Sequence, residues 1–117
     1  MDSPHLLITA KATHKPGIAE IWRFLYDCPG LIGMHIVKGP IVEQTSNASL
    51  MGIVIIAESH ISVHYERGWL FVDVFSCMPF DPQLAIVFVE SRLPVEVPVH
   101  EAQVIRRGAY ATATAIL

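Results

Sequence analysis

An α+β fold is predicted, a two-layer α/β sandwich whose mostly antiparallel sheet carries two helices on one face. Three observations predict it. Short β-branched or alternating runs recur along the chain, two segments carry apolar residues at helical spacing, and the order reads β-α-β-β-β-β-α-β. Helices on one side of a sheet bury both amphipathic stripes. The sheet's other face then needs cover, and a second copy of the chain is the simplest source.

Leu6 to Ala10 is a short apolar run and reads as the first strand. Pro16 sits where a helix can begin, because its missing N–H costs nothing in a first turn. Ile18, Ile21, Trp22 and Leu25 follow at helical spacing and are expected to form its buried face. Pro29-Gly30 is the expected stop. Met34, Ile36 and Ile41-Val42 suggest a second extended stretch interrupted by Gly39-Pro40, and polar Gln44 to Ser49 reads as a loop. Ile53 to Ala57 is apolar throughout and β-branched from Ile53 to Ile56, as expected of a strand covered on both faces. Ile61 and Val63 alternate with His60, Ser62 and His64 at a period of two. Arg67-Gly68 marks a turn, and Trp69 to Phe75 makes another strand. Asp81-Pro82 supplies an N-cap and first-turn proline for a helix to about Leu93. Val95, Val97 and Val99 suggest a last strand, with Pro98 at an edge or bulge. The small apolar tail from Ala109 to Leu117 has no period that assigns it.

Composition narrows the function classes. A chain of 117 residues, 52% apolar and 16% charged, is read as one ordered domain over residues 1–117. A net charge of -3 with no basic stripe gives no footprint for nucleic acid. The apolar run Ile53 to Ala57 is far too short to span a membrane. No secretory signal is recognised near Asp2, and Cys28 and Cys77 lack metal-type spacing, so a cytoplasmic protein with free thiols is expected.

The chemistry gathers in Glu58-Ser59-His60-Ile61-Ser62-Val63-His64, with Cys77 thirteen residues further on. A serine hydroxyl can attack the carbonyl of the residue before it, converting a peptide to an ester. Loss of the serine Cα proton then expels the upstream chain as a carboxylate, and the dehydroalanine left behind hydrolyses to a pyruvoyl group and ammonia. That sequence needs a well-positioned peptide and a nearby base, and histidine, here His64, is the residue type suited to that task. Ser59 and His64 are an odd number of positions apart, so a straight strand sets them on opposite faces; a bulge or bend near Ser59 reconciles them. His60 and His64 would share one strand face about two pleats apart, a poor arrangement for a metal pair. No metal site is assigned.

At these residues the chain resembles the bacterial and archaeal S-adenosylmethionine decarboxylase family. The resemblance is carried by Gly52-Ile53-Val54-Ile55-Ile56-Ala57-Glu58-Ser59-His60-Ile61-Ser62-Val63-His64, then by Gly68 and Val72-Asp73-Val74-Phe75-Ser76-Cys77. Val104-Ile105-Arg106-Arg107-Gly108 is a weaker echo. It implies a pyruvoyl group derived from Ser59, with cleavage after Glu58 yielding fragments 1–58 and 59–117. It also implies His64 as the processing histidine, Cys77 as the acid that reprotonates the substrate carbon, and Glu66 at the substrate site. The implied protein is a homodimer of cleaved chains that decarboxylates S-adenosylmethionine for polyamine synthesis. The pattern departs from the family at three places. Met51 stands where members carry serine or threonine before the glycine matching Gly52, with Ser49 two positions earlier. Thr45 stands near where members place an aromatic, and the stretch after His64 is shortened to Tyr65-Glu66-Arg67. A pyruvoyl decarboxylase of arginine or ornithine, or an unprocessed homologue acting as a binding partner, is the alternative.

Overall fold

The computed structural model describes residues 3–107 and 112–117. Their elements run β1 (Ser3–Lys11), α1 (Ile18–Leu31), β2 (Ile36–Ser46), β3 (Ser49–Ile56), β4 (Ser59–Glu66), β5 (Trp69–Phe75), α2 (Pro82–Arg92), β6 (Glu101–Arg107) and β7 (Thr112–Ala115). The strands form one sheet in the order β2-β3-β4-β5-β1-β6-β7, antiparallel throughout. Both helices lie on one face, as the pattern predicts.

The centre is a meander. β3 pairs β4 without a break from Ser49↔Glu66 to Ile56↔Ser59, leaving Ala57-Glu58 as the turn. β4 pairs β5 equally regularly through Arg67-Gly68, where φ values of 46° and 90° fit the turn whose twist matches a hairpin. β1 then lies between β5 and β6. One sheet face is dry: Leu6, Ile8, Val54, Ile61, Val63 and Val72 are all at most 1% exposed. α1 seals it with Ile21, Phe24, Leu25 and Cys28, and α2 with Ala85, Ile86 and Val89. The approach of α1 depends on Gly52, because a Cβ there would lie 2.8 Å from both Ile21 Cγ2 and Leu25 Cδ1.

Caps set the helix starts. The Glu20 carboxylate accepts the Gly17 N–H at 3.2 Å, and Asp81 accepts the Gln83 N–H at 2.9 Å beside Pro82. α1 does not stop at Pro29-Gly30. Pro29 lies in its last turn, where the missing N–H removes a single helical bond, and its carbonyl caps the end by accepting the Met34 N–H at 2.8 Å. The buried stripe of α1 is also displaced from Ile18, Ile21, Trp22 and Leu25. Ile21, Phe24, Leu25 and Cys28 form the true i, i+3, i+4, i+7 set, while Ile18 and Trp22 are exposed, Trp22 stacking on Tyr26 at 5.1 Å.

Four strand assignments change. β2 passes through Gly39-Pro40, which its edge position absorbs as register shifts between Lys38 and Ile41. The expected loop Gln44 to Ser49 contracts to a turn at Asn47-Ala48, because Gln44 pairs Leu50 and Ser46 pairs Ser49. β3 is covered on one face within the chain; Met51, Ile53 and Ile55 point to the open face and are each about 40% exposed. Finally, Val95 to Val99 is not a strand. Val95 makes one bridge to Ala12, Pro98 has no N–H to give, and the last long strand is β6. Of the tail from Ala109 to Leu117, residues 109–111 lie outside the described residues and Thr112–Ala115 forms β7 beside β6. No helix among the described residues is long and apolar enough to cross a membrane.

Candidate active site

Glu58-Ser59 sits at the tip of the β3–β4 hairpin. Glu58 has φ 56°, in the left-handed region that a side chain disfavours by roughly 1–2 kcal/mol. Arg67 shares that conformation at the next hairpin, so backbone geometry alone does not single out Ser59. Its surroundings do. Ser59 is 5% exposed, and its Oγ accepts the Cys77 N–H at 2.7 Å. The Cys77 thiol donates in turn to the Ala57 carbonyl at 3.3 Å. One residue thus grips the chain on both sides of Glu58. That grip comes from the end of β5: its pairing with β4 carries the chain to the hairpin tip, and Ser76 holds the bend by accepting the Met78 N–H at 3.0 Å.

A cavity of about 430 Å³ opens beside this tip, lined by Ile53, Ile55, Glu58, Ser59, His60 and Phe75. Its volume falls in the range of small-molecule sites, whereas a second hollow against Ile41, Glu43, Met51 and Ser62, about 190 Å³, falls below it. His60, Phe75 and His5 form a cross-strand row at its edge, with ring centroids 5.6 Å apart for His60–Phe75 and 5.5 Å for His5–Phe75. Asp73 Oδ2 lies 3.7 Å from His5 Nε2.

His64 lies elsewhere. The alternation of β4 puts Ser59, Ile61, Val63 and Tyr65 on the buried side and His60, Ser62 and His64 on the open face. No bulge interrupts β4 on either edge. Five extended residues separate Ser59 from His64 by about 16 Å. The bend that would join them within one chain is absent. His64 Nε2 instead shares a hydrogen bond with Ser49 Oγ at 3.2 Å, and Glu66 Oε2 approaches the same nitrogen at 3.8 Å. The ring also lies against Phe71, centroids 6.0 Å apart, and pairs across the strand with Met51.

The structure therefore brings Ser59, Glu58 and Cys77 together, and His64 with Glu66 at a second station on the open face. His5 and Phe75 are site neighbours that sequence reading missed. Both lie on period-two strands, but their meeting depends on β1 pairing with β5, a contact 70 residues apart in His5↔Phe75 that no local pattern announces. The second thiol, Cys28, is buried against the sheet, which pushes its pKa up to about 12 and removes it from chemistry near neutral pH.

Comparison with known proteins adds an independent line. Residues 17–108 match the family described as S-adenosylmethionine decarboxylase. The chain is 32% identical over 68 residues to the S-adenosylmethionine decarboxylase proenzyme of Thermococcus onnurineus, covering 56% of this chain and 48% of that protein. It is 38% identical over 61 residues to the protein of the same name from Pyrococcus furiosus, covering 50% and 44%. A third, from a Geobacillus species, is 39% identical over 44 residues, 36% of each. The chain spans about half the length of the curated relatives it matches, or less.

Proposed function

Because the chain belongs to the S-adenosylmethionine decarboxylase family, we propose that it cuts itself between Glu58 and Ser59 and then decarboxylates S-adenosylmethionine. The observation that carries this reading is the grip of Cys77 on the hairpin tip, at 2.7 Å to Ser59 Oγ and 3.3 Å to the Ala57 carbonyl.

In the cleavage reaction Ser59 Oγ attacks the Glu58 carbonyl carbon, and the peptide N is expelled to give an ester and a free amine. The bond from the Cys77 N–H occupies one lone pair of Oγ and leaves another for attack. A base then takes the Ser59 Cα proton. The C–H electron pair forms the Cα=Cβ bond, Cβ–Oγ breaks, and Oγ departs as part of the new Glu58 carboxylate. The Cys77 N–H is well placed to receive that negative charge. Hydrolysis of the enamine releases ammonia and leaves a pyruvoyl group on residue 59.

Ser59 fits as the source of that group, being buried at a cavity wall with a donor already on its oxygen. The pyruvoyl group supplies the electron sink for loss of carbon dioxide. Around it the chain's own residues do three things. Ile53, Ile55 and Phe75 wall the site against water, Cys77 holds a thiol proton at the mouth of the turn for return to the substrate carbon, and Glu66, which stands at the His64 station, is the carboxylate that a second copy brings to the substrate.

His64 is proposed as the processing base, and its separation from Ser59 in one chain makes that role one for a second copy. Met51, Ile53, Ile55 and Phe71 leave 39–42% of their surfaces exposed on the open face, an apolar patch of the kind that marks an interface. A homodimer closed over this face covers the patch and lets His64 of one chain serve Ser59 of the other. Family likeness supports S-adenosylmethionine over arginine or ornithine as substrate. The test is release of labelled carbon dioxide from each carboxyl-labelled amino acid. Release from S-adenosylmethionine, abolished by Ser59→Ala, is expected; release from none of the three, or undiminished release by Ser59→Ala, contradicts the proposal.

A further inference from the structure

The imidazole of His60 stands on the wall of the cavity beside Ser59. We propose that His60 is a second catalytic histidine, the group that carries the proton when the substrate amine condenses with the carbonyl formed at residue 59. The inference rests on the reading of Ser59 as the source of a pyruvoyl group.

Of the residues that line the cavity, Glu58 and His60 are the ionisable ones. A shuttle has to accept a proton and hand it on at the same pH, which histidine does as a residue type and a carboxylate does poorly. The Cys77 thiol is engaged with the Ala57 carbonyl, and His64 stands about 16 Å along β4 from Ser59 in its own chain. The alternation of β4 turns the Ser59 hydroxyl to the buried side and the His60 ring to the open face. That alternation governs side chains, whereas the reacting carbon is the former Cα of residue 59, a backbone atom one peptide unit from His60.

The His60 ring is also held in place. Its strand neighbours are Ile55 on β3 and Phe75 on β5, the latter with ring centroids 5.6 Å apart. His5 meets it edge-on, 6.3 Å away at 77°, and Asp73 Oδ2 lies 3.7 Å behind His5 at Nε2. His5 and Asp73 stand off the cavity wall, so His60 is the member of this row that meets the substrate.

In the condensation the amine nitrogen gives up two protons, and the electron pairs so freed make its two bonds to carbon. The carbonyl oxygen takes both protons with the two C–O bonding pairs and leaves as water. His60 accepts a proton from nitrogen and delivers it to that oxygen, ending as it began, so no co-reactant is consumed.

The test uses the cleaved protein and O-methylhydroxylamine, a small amine that condenses with a ketone by the same exchange and adds a fixed mass to fragment 59–117. Intact-mass time courses follow that fragment alone, so the extent of cleavage does not enter. His60→Gln is expected to slow labelling roughly a hundredfold, the lower end for a general acid–base group. It is also expected to lower kcat for S-adenosylmethionine while KM holds. Imidazole added to the medium is expected to restore labelling of His60→Ala. Labelling of His60→Gln at the wild-type rate, or a His60→Ala chain that ignores imidazole, overturns the inference. A His60→Gln chain that fails to cleave places the residue in the cleavage step and overturns it as well. A wild-type chain that stays uncut refutes the proposed function, whereas a cut chain whose labelling is indifferent to His60 refutes this inference alone.

Discussion

At residue scale the two cysteines should part company. Cys28 lies on the buried face of α1 with its thiol pushed up to about 12, so it stays protonated at neutral pH. Cys77 is partly exposed at the hairpin tip. Iodoacetamide on the native protein is expected to label Cys77 first and Cys28 only on unfolding, with tryptic mass mapping as the readout. Equal labelling of the two in the native state contradicts the burial. Cys77→Ala should leave cleavage largely intact, since the N–H that touches Ser59 Oγ belongs to the backbone and survives the change. The thiol is lost, so turnover should fall and inactivation by transamination should rise, seen as progressive loss of carbon dioxide release. Ser59, Glu58 and Cys77 were candidates in the sequence through one short motif and the family resemblance it carries, and the fold brings the three together. The separation of Ser59 from His64 was legible too, as a parity argument along β4. What the sequence left open was whether a bulge cancels that parity, and only the unbroken register on both edges of β4 decides it.

At the scale of elements, α1 is held close to β3 by the absence of a side chain at Gly52. Gly52→Ala puts a carbon 2.8 Å from two buried methyl groups and should cost about 1–3 kcal/mol, read as a lower urea midpoint. The two helices are also tied together by Asp27. It accepts from Arg92 on α2 at 2.9 Å and from Arg23 at 3.0 Å on its own helix. The Arg92 bond, with help from Arg23, holds the Asp27 carboxyl below its ordinary value despite partial desolvation. A depressed carboxylate pKa stabilises the fold above the unfolded value and loses that contribution as pH falls through the folded value. The pair is solvent-screened, so Asp27→Asn should cost at most about 1 kcal/mol at neutral pH. The difference from wild type should vanish once the pH is below the folded pKa of Asp27. The start of α2 was readable from Asp81-Pro82, because caps are local, whereas α1 begins after Pro16, with Gly17 as its cap, rather than with the proline in its first turn. The end of α1 and the fate of Val95 to Val99 were not readable. Both depend on tertiary bonds, from Met34 to the Pro29 carbonyl and from Val95 to Ala12.

At the scale of the molecule, the sheet has one face under helices and one face open. The apolar run Ile53 to Ala57 looked like a strand covered on both sides. Among the described residues of one chain nothing supplies the second cover, since both helices pack on the same face. A homodimer closed over the open face is the proposed cover, and it gives a decisive mixing experiment. A Ser59→Ala chain keeps His64, and a His64→Ala chain keeps Ser59. Each alone should stay uncut, while unfolding and refolding them together should allow the His64→Ala chain to be cleaved. No cleavage in the mixture, with wild type cleaving normally, argues that His64 acts within its own chain. Ile53→Glu should weaken the dimer in sedimentation velocity and slow cleavage with it.

Self-cleavage of the Glu58–Ser59 peptide is read most directly from the intact mass of the purified, denatured chain. Two fragments divided after Glu58 are predicted, the C-terminal one lighter than its sequence mass by one ammonia. A single uncut chain that persists through prolonged incubation contradicts the claim.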